Sequence, residues 1–247
     1  TADGQIRRVS AEQEPDLFWA IRGGGGNFGV VTEFEFQLHP FDRKVLSGNA
    51  IWPIEQAAEV LDFYGDWYAG LSDELYVGPA LVTMPDGTSV LVVEIVYNGD
   101  PVQGEKELEP LLKIGKPIDP GVKVQDYMVM QTQEDVSFGH GVRSYAKSGM
   151  AREISHDMLK TMVEANPRDP RAAFFVHTAG GAVKRVGELD TAFPHRNAET
   201  MLVFTGGWES AEDDEGGIKA IRDWYYALEP HTGGYYTNID NDHTSSN

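Results

Sequence analysis

From residue 45 onward the chain alternates between two apolar periodicities in a fixed order, and it does so twice. Residues 45–52 carry a strand pattern. Pro53 then opens a helix in which Ala57, Val60, Leu61, Tyr64, Trp67, Tyr68 and Leu71 recur at helical spacing, the apolar stripe a helix needs to pack on a neighbour. Residues 75–84 and 89–97 read as strands joined by Pro85-Asp86-Gly87, a tight-turn signal. Residues 101–112 read as a second helix. A looser version follows: a strand near 142–147, a helix over 155–165, strands near 172–178 and 200–208, and a last helix over 210–228. Ile218, Ile221, Trp224, Tyr225 and Leu228 form the inner face of that helix. Strands that follow each other directly cannot be parallel neighbours, which need a long crossover between them. The order therefore predicts an α+β fold, one antiparallel sheet over residues 43–230 with its helices on one face. No sequence-level repeat accompanies the repeated order.

The composition permits such a core and narrows the partners. With 247 residues, 41% hydrophobic and 11% aromatic, the chain can build one large domain or two small ones. Its apolar runs are short, four residues at 90–93 and five at 172–176, far below the ~20 residues of a membrane helix, so no membrane partner is expected. Lys and Arg number 20 against 39 Asp and Glu, a formal net charge of −19. That balance repels nucleic acid and anionic membrane alike. There is no cysteine, which removes disulfides, thiolate chemistry and cysteine-ligated metal. The chain starts at Thr1 without a leader pattern and ends in a polar stretch that closes no domain. Both ends read as cut, and the compartment stays open.

The first forty residues differ from the rest. Residues 16–21 read as a short helix, and four glycines follow, Gly23 to Gly26. In residues 30–38, Val30, Thr32, Phe34, Phe36 and Leu38 alternate with their neighbours in a period of two, a strand pattern. Gly24-Gly25-Gly26-Asn27-Phe28-Gly29 matches G-x-G-x-x-G. A dinucleotide fingerprint needs a strand before the glycines and a helix after them, because the helix N-terminus receives the pyrophosphate. Here the order is inverted. A surface loop and a ligand loop fit the glycines equally well, since both exploit positive φ and close backbone approach.

Other residues carry little on their own. His177, His195 and Arg196 match no zinc spacing. Asp240 and Asp242 hint at a calcium loop but lack its glycine and distal glutamate. No metal site is expected.

Taken together, the segment Asp16-Leu-Phe-Trp-Ala-Ile-Arg-Gly-Gly-Gly-Gly-Asn-Phe-Gly-Val-Val-Thr32 resembles the closing part of the FAD-binding domain in berberine-bridge-enzyme-like oxidases, members of the vanillyl-alcohol-oxidase/PCMH flavoprotein fold. Three later segments resemble that family in the same order. They are His177-Thr-Ala-Gly-Gly-Ala-Val183, then Thr191-Ala-Phe-Pro-His-Arg196 with Trp208, then Tyr236-Thr-Asn238. The resemblance implies that residues 1–42 are a remnant of a PCMH-type FAD-binding domain, 43–230 a substrate domain and 231–247 the start of a segment returning to the FAD domain. It implies FAD contacts from Gly24, Gly25, Gly26, Asn27, Gly29, Val31 and Asn238. Tyr236 would take a hydroxyl proton while the substrate carbon passes hydride to the flavin. The substrate would be a small molecule oxidised at an alcohol, sugar or amine carbon. The family's N-terminal half, with its pyrophosphate loop and the His that attaches FAD, has no counterpart here. This chain alone is therefore expected to be inactive, to hold FAD weakly or not at all, and to self-associate through Phe34, Phe36 and Leu38. The alternative is a non-catalytic fragment or binding module that keeps the fold without flavin.

Overall fold

The computed structural model describes residues 1–133, 135 and 140–241; Asp242 and His243 of the calcium-like stretch lie outside them. In chain order the elements are α1 (Pro15–Ala20), β1 (Lys44–Pro53), α2 (Ala57–Trp67), β2 (Leu75–Thr83), β3 (Ser89–Tyr97), α3 (Pro101–Leu112), β4 (Lys123–Asp126) and α4 (Tyr127–Gln131). There follow β5 (Arg143–Ala151), α5 (His156–Glu164), β6 (Ala173–Thr178), α6 (Gly181–Lys184), β7 (Thr200–Trp208) and α7 (Asp214–Leu228). They fall into two compact units, Thr1–Phe41 with Gly181–Asn197, and Asp42–Gly180 with Ala198–Asn247. This partition differs from a division at 42 and 230: residues 181–197 cluster with the glycine-rich segment, and the tail clusters with the sheet.

The larger unit is the antiparallel sheet that the repeated order predicts. Its seven strands run β4-β1-β3-β2-β6-β7-β5, and each pairing is antiparallel. Each sequence run contributes three strands in the same arrangement, β1-β3-β2 and β5-β7-β6, and the two meet where β2 pairs with β6. The sequence reading missed β4 and α4. Strand β4 has only four residues, none of them buried, too short and too polar for a periodic signal.

Helices α2, α3, α5 and α7 share one face of the sheet. Alternate residues of the strands, among them Trp52, Leu81, Leu91, Phe174 and Phe204, form one buried cluster with Leu61 and Tyr64 of α2, Leu111 of α3, Met162 of α5 and Trp224 of α7. Phe174 lies at its centre, its ring centroid 4.5 Å from that of Phe204 and 5.4 Å from that of Trp224. The buried indoles stay hydrogen-bonded: Trp52 donates to the Ile114 carbonyl at 2.9 Å and Trp224 to that of Met162 at 3.1 Å, as a buried N–H requires. Local signals set the helix starts. The Asp100 carboxylate accepts from the Val102 and Gln103 amides ahead of α3, and the Ser155 hydroxyl from the Met158 amide in α5.

An edge strand exposes unpaired backbone groups, and the tail covers those of β5. The Met150 amide donates to the Gly234 carbonyl and the Gly233 amide to the Met150 carbonyl, both at 2.8 Å, while the Asn241 amide reaches the Ala146 carbonyl at 3.0 Å. Behind this cover Lys147 and Asp240 form a buried ion pair at 3.6 Å.

In the smaller unit, α1 is held by the 181–197 segment. The Trp19 indole donates to the Leu189 carbonyl at 2.8 Å, and the Arg22 guanidinium to that of Asp190 at 3.2 Å. Residues 30–38, read from the sequence as a strand, are not one. Among the described residues none supplies a backbone ladder to them, and alternation alone makes no strand without such partners. The two-residue period survives in the side chains: the rings of Phe34 and Phe36 stack at 5.6 Å and 4°, and Phe34, Phe36 and Leu38 are exposed.

Two outcomes test this packing. Phe174→Ala should cost about 3–5 kcal/mol in urea unfolding, because its cavity would lie at the meeting point of both halves. His156 joins α5 to α2, with Nδ1 2.6 Å from Asp62 and Nε2 3.1 Å from Asp66. Hydrogen bonds to Asp66 and Asp62 raise its pKa above the ordinary 6.5. The stability it contributes is complete below the unfolded pKa and is lost as pH rises through the folded one. His156→Gln should therefore lower the urea midpoint near pH 5 but not near pH 9, on either side of the ordinary His range.

Candidate functional site

The glycines of the loop serve different purposes. A Cβ on Gly23 would stand 2.4 Å from the Phe193 backbone nitrogen, at a φ of 123° that other residues rarely adopt. A Cβ on Gly24 would meet the Ala20 carbonyl at 2.5 Å and the Phe28 ring at 2.6 Å. These two are glycines because their own unit packs against them. The Gly24 amide is also taken, donating to the Ala20 carbonyl at the end of α1. Gly25, at φ 72°, and Gly26 are different: they are exposed, and a Cβ on Gly26 would meet nothing within 4 Å among the described residues. One turn of 3-10 helix, Gly25–Asn27, projects here, and the Asn27 side chain donates back to the Gly24 carbonyl at 3.1 Å. Gly29 returns to positive φ, 143°, and Val31 is 42% exposed. Gly25, Gly26 and Asn27 are thus exposed.

In the larger unit, the face opposite the helices is half-buried and mostly apolar. It carries Ile51, Val92, Ala80, Phe175 and Val203 in one register row. Three polar residues interrupt it at the centre. Glu94 pairs with Gly78 in register. Tyr76, two residues back, sends its hydroxyl to within 3.0 Å of Nδ1 of His177 on β6. Burial, then the charge of Glu94, raises the Tyr76 pKa far above the phenol range. Burial also lowers that of His177 below the ordinary 6.5. The His177 ring stacks on Phe175, centroids 6.0 Å apart. The sequence reading placed Tyr76 and Glu94 only within strands and singled out neither.

Tyr236 and Asn238 sit at the β5 edge of this unit. The Tyr236 amide donates to the Ser148 hydroxyl at 2.8 Å, and Ser148 lies on the face opposite the helices, paired with Val203. The Asn238 amide donates to the Tyr236 hydroxyl oxygen at 2.9 Å. The two residues named from the tail motif are thus brought together. Gly24, Gly25, Gly26, Asn27, Gly29 and Val31 belong to the other unit. Among the described residues no cluster of His, Asp or Glu forms a metal site, and no helix is long and apolar enough to cross a membrane.

No family model matches the chain. It is 29% identical over 239 residues to an FAD-linked oxidoreductase of Dictyostelium discoideum, covering 95% of this chain and 52% of that protein. It is also 29% identical over 228 residues to a chitooligosaccharide oxidase of Gibberella zeae, covering 81% of this chain and 44% of that one. Its fold superposes on berberine bridge enzyme from Eschscholzia californica with a TM-score of 0.81 at 19% identity, over 98% of this chain and 53% of that structure. The relatives of this chain are FAD-linked oxidoreductases of the berberine-bridge-enzyme-like type. The chain spans about half the length of the curated relatives it matches. The seven-stranded antiparallel sheet with its helices is the architecture of the berberine-bridge-enzyme-like substrate domain.

The two kinds of glycine can be separated by mutation. Gly23→Ala, which meets both a clash and positive φ, should destabilise by about 1–3 kcal/mol. Gly26→Ala should change thermal stability by no more than about 0.5 kcal/mol. Differential scanning calorimetry of both variants checks the contrast.

Proposed function

We propose that this chain supplies the substrate-binding sheet and one wall of the flavin site in an FAD-dependent oxidoreductase acting on an alcohol, sugar or amine carbon. The carrying observation is the sheet face opposite the helices, an apolar floor interrupted by Tyr76, Glu94 and His177 and bordered by Tyr236. Such a surface, mostly apolar with a few convergent polar groups, is what small-molecule sites require. The relative named as a chitooligosaccharide oxidase favours a sugar hydroxyl among these substrates.

Bound FAD supplies the hydride acceptor for such an oxidation. Gly25, Gly26 and Asn27, with Gly24, Gly29 and Val31 shaping the loop, would lie against it. The apolar floor excludes water from the substrate carbon, which keeps a developing carbonyl from hydration. Tyr236 is the candidate base for the hydroxyl proton. The Asn238 amide on its oxygen fixes where that oxygen waits and leaves the Asn238 carbonyl for a cofactor edge.

The pyrophosphate of FAD needs donors converging from several sides, and the residues named here form one of them. Titrated with FAD, this chain alone should show no saturable fluorescence quenching at micromolar concentration, and the complete protein should be yellow. A colourless complete protein would contradict the flavin reading. In that protein Tyr236→Phe should lower kcat by about 10²–10⁴-fold, the usual contribution of a positioned base; unchanged turnover across pH would remove Tyr236 from the role.

A further inference from the structure

The pair at the centre of the sheet does more than fill space. Gly78 lies between Glu94 and the His177 end of β6, in a central strand where glycine weakens the ladder and packs nothing. Its conformation is ordinary, so φ does not explain it. A Cβ there would stand 2.4 Å from the Tyr76 hydroxyl oxygen and 3.1 Å from the Val176 carbonyl. Glycine lets the Tyr76 side chain lie along its own strand and reach across to β6.

What the hydroxyl does at His177 follows from counting hydrogens. Tyr76 stays a phenol, since burial and the nearby Glu94 charge both oppose its ionisation. Among the described residues its hydroxyl has one hydrogen-bond partner, Nδ1 of His177. If Nδ1 carried a hydrogen and donated it, the phenol hydrogen would be left without a partner among the described residues, which the opposite assignment avoids. If the phenol donates instead, Nδ1 accepts and both groups are satisfied. A neutral imidazole that accepts at one nitrogen carries its hydrogen on the other. The ring plane is held by Phe175, and the His177 carbonyl is anchored by the Thr200 hydroxyl at 3.0 Å. Nε2 makes no hydrogen bond among the described residues.

We propose that Tyr76, lying over Gly78, locks His177 as the tautomer protonated on Nε2, so that the sheet face presents one neutral donor to an uncharged, oxygen-bearing ligand. Tyr76 is then a positioning residue and His177 a binding residue. The ligand class follows from the surroundings: Met201 pairs with His177 in register, Phe175 stacks on it, and the Glu94 charge disfavours a carboxylate. An alcohol and the carbonyl compound formed from it both offer the required acceptor oxygen. The choice of that substrate and product as ligand rests on the function proposed above; the tautomer lock does not.

Long-range ¹H–¹⁵N correlation of the histidine rings in the full chain tests the lock. His177 should show an unprotonated Nδ1 and a protonated Nε2 without averaging. Tyr76→Phe should move the two nitrogen shifts toward each other as both tautomers become populated. Gly78→Ala, which displaces the ring but keeps the hydroxyl, should do the same; if it fails to fold, Tyr76→Phe decides. A protonated Nδ1 in the parent chain, or unchanged shifts in Tyr76→Phe, would overturn the lock. Titration with cyclohexanol and with cyclohexanecarboxylate as probes tests the ligand class. A shift of the His177 Nε2–H signal with the alcohol and none with the carboxylate is expected. A response to the carboxylate alone, or to neither, would overturn the class. Both measurements need no flavin, so a colourless complete protein would remove the oxidoreductase reading without altering the tautomer result.

Discussion

The contact on which the sheet depends is the pairing of β2 with β6, where Leu81 faces Phe174 and Ala80 faces Phe175. Each three-strand half turns one apolar face toward its own helices, and neither half alone encloses it. Joining at β2 and β6 makes one continuous floor under four helices, and Phe174 sits at the seam with Phe204 and Trp224 against it. Aromatic groups at a seam bury large areas and prefer tilted contacts, which resist sliding of one half along the other. The same pairing makes the opposite face continuous. It carries Glu94 and Tyr76 from the first half to His177 of the second, so the polar group at the centre of that face exists only because the halves are joined.

The edges of the sheet are handled unequally. At one end β4 is a short polar strand. At the other the tail covers β5 and is fastened by Lys147 and Asp240. A buried ion pair is a weak source of net stability but a strong constraint, because removing either partner strands a charge. Here it fixes where the tail crosses β5, and hence where Tyr236 and Asn238 stand relative to Ser148. Structure at the edge is thereby converted into placement of candidate functional groups.

Much of this was legible in the residues. Periodicity located the long strands and helices, and their order implied an antiparallel sheet, because hydrophobic burial imposes those periods directly. Motif resemblance singled out the glycine loop and Tyr236 with Asn238. Strand β4 was not legible, since four polar residues carry no period. Nor was the fate of residues 30–38: the alternation of Phe34 and Phe36 is real, but a strand is defined by partners, and partners are not encoded in the segment itself. The Tyr76–His177 pair was invisible for a related reason. It joins residues 101 positions apart, and only the register of β2 and β6 reveals that they meet. The glycine run looked uniform in sequence and is not. Gly23 and Gly24 answer to Phe193 and Phe28, whereas a Cβ on Gly26 meets nothing within 4 Å among the described residues.

The central claim is the proposal that each unit contributes separately to flavin-dependent oxidation, the smaller through the Gly25–Asn27 turn and the larger through the sheet face opposite the helices. Hydrogen–deuterium exchange on the complete protein, holo against flavin-stripped, addresses it most directly, because exchange reports local opening peptide by peptide. The account predicts slower exchange in the holo form at residues 23–31 and 233–241, with α2 and α5 on the far side of the sheet unchanged. Protection confined to the helices, or no difference at either segment, would contradict it.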